Sequence, residues 1–325
     1  MNQRIAIHLG EKGSSFVQRI GRDSIRLNKQ PAGLNFYDLD WPDSTSGQIH
    51  FEHSVHSFDL STVLGMMGTE DVDRANTGIY QWDISFGLPP RNAIPHEQAR
   101  LQVMALLRML QDKGWKQHYS RDSARIKGRS ALFGLFLDTR YVPSFEEWMA
   151  LGDGSMWRLQ ADGVYLSLQM WRDDKHLDPQ QPGAYFMSME LHGEEDEVRG
   201  YFLHAERDKW RELWSERMKE ADEKRAKKEA EARTKGYQID TDYQDPPIKA
   251  LIKPELSSKV GQSCPKDGIW EASRSDSMAT TLASYPARWR RFKQGEVMTG
   301  FGQGLPGFDD DNQHITWTWR KPLES

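Results

Sequence analysis

The sequence predicts an α+β fold: a mainly antiparallel sheet with packed helices, a long charged connector helix and a small β-rich C-terminal module. Three observations predict it. Apolar residues alternate at 79–86, 164–170 and 185–191, the period of a half-buried strand. Two longer stretches, 95–113 and 205–235, carry helical spacing instead. Helices and strands are partly segregated rather than regularly alternated, which favours α+β layers over a doubly wound parallel sheet.

In chain order, Ile5, Ile7 and Leu9 alternate before Gly10, as in a short strand closed by a turn. A polar stretch punctuated by Gly, Pro and Asp runs to Gly47, after which Ile49, Phe51 and Val55 suggest another strand. Tyr80, Trp82, Ile84 and Phe86 share one face of the next strand, which ends at Gly87-Leu88-Pro89-Pro90. The helix over 95–113 begins with Pro95 and Glu97 and exits at Gly114. Its middle, Leu101 to Leu110, is apolar around most of its circumference, so it is expected to pack on a sheet and to be covered on a second side. The stretch from Trp115 to Phe136 reads as strand-like and turn-like, and Phe145 to Leu151 as a short helix introduced by Pro143-Ser144. The strands at 164–170 and 185–191 are expected to pair antiparallel across a connection holding Pro182-Gly183.

The helix from Ala205 to about Lys235 carries an apolar stripe of Trp210, Leu213, Trp214, Met218 and Ala221. Beyond Ala221 the stripe fades into Ala, Glu, Lys and Arg, the composition of a solvated helix. Residues 236–254, with Asp245-Pro246-Pro247, read as an extended spacer. The expected division is therefore an α+β domain at 1–204, a connector helix at 205–235, and a spacer with a β-rich module at 236–325, the natural cut falling near Gly236. No solenoid-period repeat is visible.

A chain of 325 residues has room for one large or two modest domains. Twelve Trp and thirteen Phe supply much of the core material, because each buried aromatic removes roughly 150–250 Å² from water. The net charge of −5 gives no broad basic footprint, so nucleic acid is not an expected partner. One cysteine cannot form an intrachain disulfide, and the N-terminal residues lack a signal-like apolar run. No stretch approaches the ~18 consecutive apolar residues of a membrane span. A cytoplasmic protein without membrane contact is expected.

The C-terminal stretch Gly261 to Trp319 organises the rest. It reads Gly-x-x-Cys-Pro-x-x-Gly-x-Trp from Gly261 to Trp270, then Arg291-Phe292 with Gly295-Glu296-Val297-Met298, then Trp317-Thr318-Trp319. This pattern, over about the last fifth of the chain, resembles the C-terminal signature of cytoplasmic immunity proteins from bacterial polymorphic and type VI secretion toxin systems. Members usually carry serine before the second glycine and proline after the methionine; here Asp267 and Thr299 stand at those positions. The resemblance implies a protein that binds and neutralises one cognate toxin; no cofactor is expected.

The residues themselves offer few catalytic motifs. His50, His53 and His56 invite a metal, but on a strand His53 faces away from the other two, so a polar strand or loop is the expected role. Cys264 lacks a neighbouring histidine and is expected to be a small buried turn residue. Neither a Gly-x-Ser-x-Gly elbow nor a P-loop occurs, and Gly300-Phe301-Gly302-Gln303-Gly304 precedes Leu-Pro-Gly rather than a helix.

For an inhibitor, two acidic segments are candidate toxin contacts: Asp309, Asp310 and Asp311, and the Glu194-Glu195-Asp196-Glu197 turn. Carboxylates can occupy a basic toxin cleft with fast, salt-sensitive association. Each segment also reads as a plain solvated loop. Trp270 and Trp289 are candidate interface anchors, whereas Trp317 and Trp319 alternate in a strand and read as core. The leading expectation is stoichiometric inhibition by active-site occlusion; a hydrolase without a linear motif and a secretion-apparatus adaptor are the alternatives.

Overall fold

The computed structural model describes residues 4–42, 45–74, 77–90, 93–251, 256–275, 279–301 and 314–323. The chain forms two compact units, Met1–Leu251 and Ile252–Ser325. The first contains β1 (Arg4–Ile7), α1 (Gly13–Ile20), β2 (Arg26–Lys29), β3 (Leu34–Asp40), β4 (Gly47–Phe51), β5 (Phe58–Asp71), β6 (Ile79–Gly87) and β7 (Ile94–Pro95). There follow α2 (His96–Asp112), β8 (Lys116–Gln117), α3 (Phe145–Ala150), β9 (Ser155–Ala161), β10 (Val164–Arg172), β11 (Pro182–Gly183), β12 (Tyr185–Gly193), α4 (Glu194–Arg199) and α5 (Trp210–Thr234).

Most of these strands build one large sheet in the order β1-β4-β5-β6-β12-β10-β9-β8, with β3 and then β2 extending from β5. Pairing is antiparallel apart from β1 with β4, so the unit is α+β. The long strand β5 serves two partners on one edge, β4 through residues 58–63 and β3 through residues 65–71. The change falls between Val63 and Gly65, where the pairing to β6 also shifts register; just before it Thr62 has a φ of 59°, and its hydroxyl donates to Gly87 O.

The alternation of β6, β10 and β12 gives the sheet two chemically different faces. Trp82, Ile84, Leu166, Leu168, Met187 and Met189 are buried in the main core, together with Ala99, Val103, Leu107 and Leu110 of α2. Trp82 meets Phe16 edge-on at 5.1 Å between ring centroids, and its indole N–H donates to His8 O. The opposite face carries Arg158, Tyr165, Glu190 and His192, brought side by side by the β9-β10-β12 register. The second side of α2 is covered in part, by α3 and by residues 139–143, to which Arg100 and Gln111 donate at Pro143 O and Thr139 O, while Leu101 stays more than half exposed. Ser144 and Glu147 close a reciprocal capping box that starts α3, where the Pro143-Ser144 signal placed it.

Three stretches fold differently from their sequence signals. The polar segment before Gly47 contains α1, β2 and β3, because pairing to β5 supplies the order that its composition lacks. The far end of α5 is docked, not solvated: Arg225, Glu229 and Ala232 are buried. Arg225 meets Asp245 in a two-pronged pair at 2.6 and 2.9 Å, and Arg125 meets Glu229 at 2.7 and 3.1 Å. Residues 236–251, read as a spacer, are held in the first unit by Arg140 on Asp240 and by an Ile126–Ile239 bridge.

The second unit comprises β13 (Ser257–Lys259), β14 (Gly268–Arg274), α6 (Ala279–Ala283), β15 (Trp289–Phe292) and β16 (Ile315–Lys321). Its four-stranded antiparallel sheet runs β13-β16-β14-β15.

Candidate functional site

A buried polar cluster of the first unit lies on the hydrophilic face of the sheet and centres on Glu197. The helix α4 follows directly from β12, so its first turn folds back over the strand it leaves and brings Glu197 onto His192. One carboxylate oxygen accepts from His192 Nε2 at 2.9 Å and Arg158 Nη2 at 2.7 Å. The other accepts from His118 Nε2 at 3.1 Å and the Tyr201 hydroxyl at 3.3 Å. Four donors use the full acceptor capacity of a carboxylate.

The surrounding bonds assign the protonation states. Burial opposes ionisation of Glu197, but hydrogen bonds from His118 and His192 and the charge of Arg158 hold it well below the usual carboxylate range. His192 is also buried, yet its bonds to Glu190 and Glu197 outweigh desolvation and raise it to about 9. It is therefore an imidazolium that donates from both nitrogens. His118 goes the other way, because burial outweighs its bond to Glu197 and keeps it neutral. Tyr119 N–H donates to the Tyr243 hydroxyl, Tyr243 donates to His118 Nδ1, and His118 Nε2–H donates to Glu197, one directional chain fixing the tautomer. Tyr165 stacks on His192 and meets His118 edge-on, filling the space between the two imidazoles.

A cavity of about 400 Å³ opens beside this cluster, with Ser120, Arg158, Tyr201, Arg217 and Lys224 in its walls. Arg158 spans from Glu197 to Ser120 Oγ at 2.5 Å. Chemically, the arrangement fixes geometry better than it transfers protons. Glu197 is too weak a base, His192 has no free lone pair, and His118 has both ring nitrogens engaged.

Among the sequence candidates, Glu194 accepts from the backbone N–H groups of Lys249 and Ala250 and so fastens the end of the unit. Glu195 lies 3.9–4.0 Å from Arg74, Arg199 and Arg211, and Asp196 pairs with Arg74 at 2.6 Å. The segment read as an acidic turn is thus a short helix with inward and outward carboxylates. Its buried member, Glu197, is the residue around which the polar cluster forms.

Trp270 is fully buried in the second unit, in one core with Cys264, Phe292, Met298 and Trp317, so its side chain is not offered to a partner. Trp289, at 43% exposure, is on the surface beside Arg288. Asp309, Asp310 and Asp311 lie outside the described residues. The three histidines do not converge: His50 contacts Arg4 and Asp59, while His53 and His56 bond the carbonyls of Ala161 and Lys113. Among the described residues, no group of three or more His, Cys, Asp or Glu is arranged to hold a metal, and no helix is long and apolar enough to cross a membrane.

The polar cluster draws on residues 118, 158, 192, 197, 201 and 243, which no linear motif joins. The available signal was alternation, since the same pattern that buries Met189 and Leu191 puts Glu190 and His192 on polar or edge-facing positions of β12. Compared with known proteins, the chain matches no family model, no curated protein and no solved structure.

Proposed function

We propose that this chain is a cytoplasmic immunity protein that neutralises a cognate secreted antibacterial toxin by stoichiometric binding over the toxin's active site. The reading is carried by the way the motif residues assemble. Cys264, Trp270, Phe292, Met298 and Trp317 share one core, and Gly268 lies against the Trp319 indole, where a Cβ would collide with the ring. Cys264 N–H donates to Glu296 O, and Gly295 N–H donates back to Cys264 O, joining the Cys-Pro turn to the Gly-Glu-x-x segment. The positions behind the resemblance therefore belong to one structural module. The internal saturation of the Glu197 cluster adds support, because its titratable groups are committed to one another.

Occlusion needs only surface, and specific interfaces commonly bury ~1,200–2,000 Å². The test is co-expression with the product of the adjacent reading frame, scored by pull-down and growth. Binding with rescue is expected. Binding without rescue would indicate an adaptor, and neither would turn attention to the cavity beside Arg158 as an enzyme site.

A further inference from the structure

The connection between β10 and β12, residues 173–184, lies against the start of α2 and is tied down at few points. Residues 174–182 are exposed. Near its end Pro182 pairs with Pro95 and Gly183 with Ile94, and at its base Asp173 N–H donates to Ala184 O. Between those points, among the described residues, the one hydrogen bond reaching 174–181 from the rest of the unit comes from His96. Gly183 lies so close to the same imidazole that a Cβ there would collide with the ring.

His96, the first residue of α2, is 2% exposed. Its Nε2 lies 3.1 Å from Asp178 O and its Nδ1 2.5 Å from the Tyr185 hydroxyl, which also accepts from Trp148 Nε1 at 3.1 Å. A carbonyl can only accept, so Nε2 carries the hydrogen, and Nδ1 accepts from Tyr185. This directional chain admits only the neutral ring. A proton on Nδ1 would aim at a phenol oxygen whose own hydrogen then has no acceptor, because the neighbouring Arg172 is itself a donor. Arg172 faces the site from β10 and bonds the carbonyls of Trp148, Met149 and Leu151 rather than a carboxylate. The positive end of α2 also disfavours a cation at its first residue. Burial, with the charge of Arg172, outweighs the Asp178 carbonyl and carboxylate, and holds His96 below its ordinary value of 6.5.

We infer that residues 173–184 form an acid-released flap over the start of α2, with His96 as its latch. In the closed flap the ring stays neutral. It takes up a proton when the flap lifts and the imidazole reaches water, so each proton bound holds the flap open. Because the closed form binds the proton more weakly than the open form, closure is strongest above 6.5 and weakens as pH falls below it, by at most about tenfold per pH unit. The inference goes beyond the inhibitor reading and does not depend on it.

The experiment measures amide hydrogen exchange of the full chain at about pH 7.5 and about pH 5.5, corrected for the pH dependence of the intrinsic rate. Protection over 173–184 should fall severalfold at the lower pH, with about tenfold as the ceiling, while β10 stays protected. His96→Gln can still accept from Tyr185 and donate to Asp178 O but does not titrate, so it should show no such fall. His176→Gln is the control for the flap's own histidine, which pairs with Asp173 at 2.8 Å, and it should keep the wild-type response. The His96 imidazole is followed by NMR in the wild-type chain, where its protonation should coincide with the loss of protection.

Equal protection at both pH values in wild type, or a fall that persists in His96→Gln, would overturn the latch. A fall abolished by His176→Gln would assign the response to His176 and overturn it too. Loss of protection in β10 together with 173–184 would mean general acid unfolding rather than a flap. If His96→Gln leaves the flap open at both pH values, the wild-type titration decides. An imidazole that protonates while the flap stays protected overturns the inference, and one that protonates only as protection is lost supports it.

Discussion

Replacing Glu197 by glutamine removes the charge on which four donors converge while keeping the size of the side chain. The amide offers one acceptor oxygen and two N–H donors. Whichever way it turns, its nitrogen faces either His192 with Arg158 or His118 with Tyr201, all donors in the native arrangement. His192 keeps Glu190, but Arg158 loses its carboxylate partner. Removing one member of a buried pair costs roughly 3–5 kcal/mol. At about 2–4 °C per kcal/mol for a unit of this size, the unfolding midpoint should fall by about 6–20 °C. Glu190→Gln is the control, because Glu190 is 40% exposed and glutamine still offers His192 an oxygen, and it should cost less than Glu197→Gln. Denaturation is followed by hydrogen exchange at β10 and β12 amides, which report the first unit separately.

The same cluster sets the pH dependence. His192 binds its proton more tightly in the folded chain, so its contribution is complete below the unfolded value of 6.5 and is lost as pH rises through about 9. At about 1.4 kcal/mol per pH unit this amounts to about 3 kcal/mol, shared with the carboxylates that hold it. Glu197 has the opposite sign: its stabilisation is present above the unfolded value of 4.5 and is lost as pH falls toward its depressed folded value. Glutamine at 197 should flatten both limbs. A loss under about 1 kcal/mol, with an unchanged alkaline limb, would refute the view that Glu197 is the hub.

Three further substitutions test the packing. Arg225→Ala should cost roughly 3–5 kcal/mol by leaving Asp245 with only the longer contact to Arg121 at 3.5 Å, and adding Asp245→Ala should recover part of that loss in a double-mutant denaturation cycle. Gly268→Ala should destabilise the second unit by roughly 1–3 kcal/mol through the collision with Trp319, and its combination with Trp319→Ala should cost less than the sum of the two. Trp270→Ala should cost roughly 3–5 kcal/mol, whereas Trp289→Ala should stay below about 1 kcal/mol; equal losses in urea titrations would contradict the burial of one and the exposure of the other.

The fold was legible where a single period governs a segment. The helix α2, the β10–β12 pair and the cap of α3 follow from local spacing, because burial of one face fixes their conformation. Legibility failed where order comes from distant partners. The strands β2 and β3 are polar or only partly buried, and their conformation depends on β5, some thirty residues away. The charged half of α5 looks solvated because composition does not reveal that Arg225 and Glu229 meet Asp245 and Arg125. The Glu197 cluster was hidden for the same reason. Glu197 itself was visible within an acidic run, but no spacing in that run distinguishes the one buried carboxylate from its neighbours.

Those long-range pairs converge on one segment. Residues 236–251 are gripped by Arg140 at Asp240, by Arg225 at Asp245, and by the Tyr243 hydroxyl in the His118 chain. A hydrophobic strap of the same length could be as stable, since buried ion pairs contribute little net stability over packed apolar groups. What discrete pairs add is register, because a slip by one residue would leave Asp240 and Asp245 without their arginines. Tyr237 is at the start of this strap and carries the ring on which Phe133 stacks. Asp240 is buried between Arg140 and Lys127, so Asp240→Asn should weaken the grip on the strap and speed hydrogen exchange at its amides, and unchanged exchange there would mean that the register of 236–251 does not depend on its ion pairs.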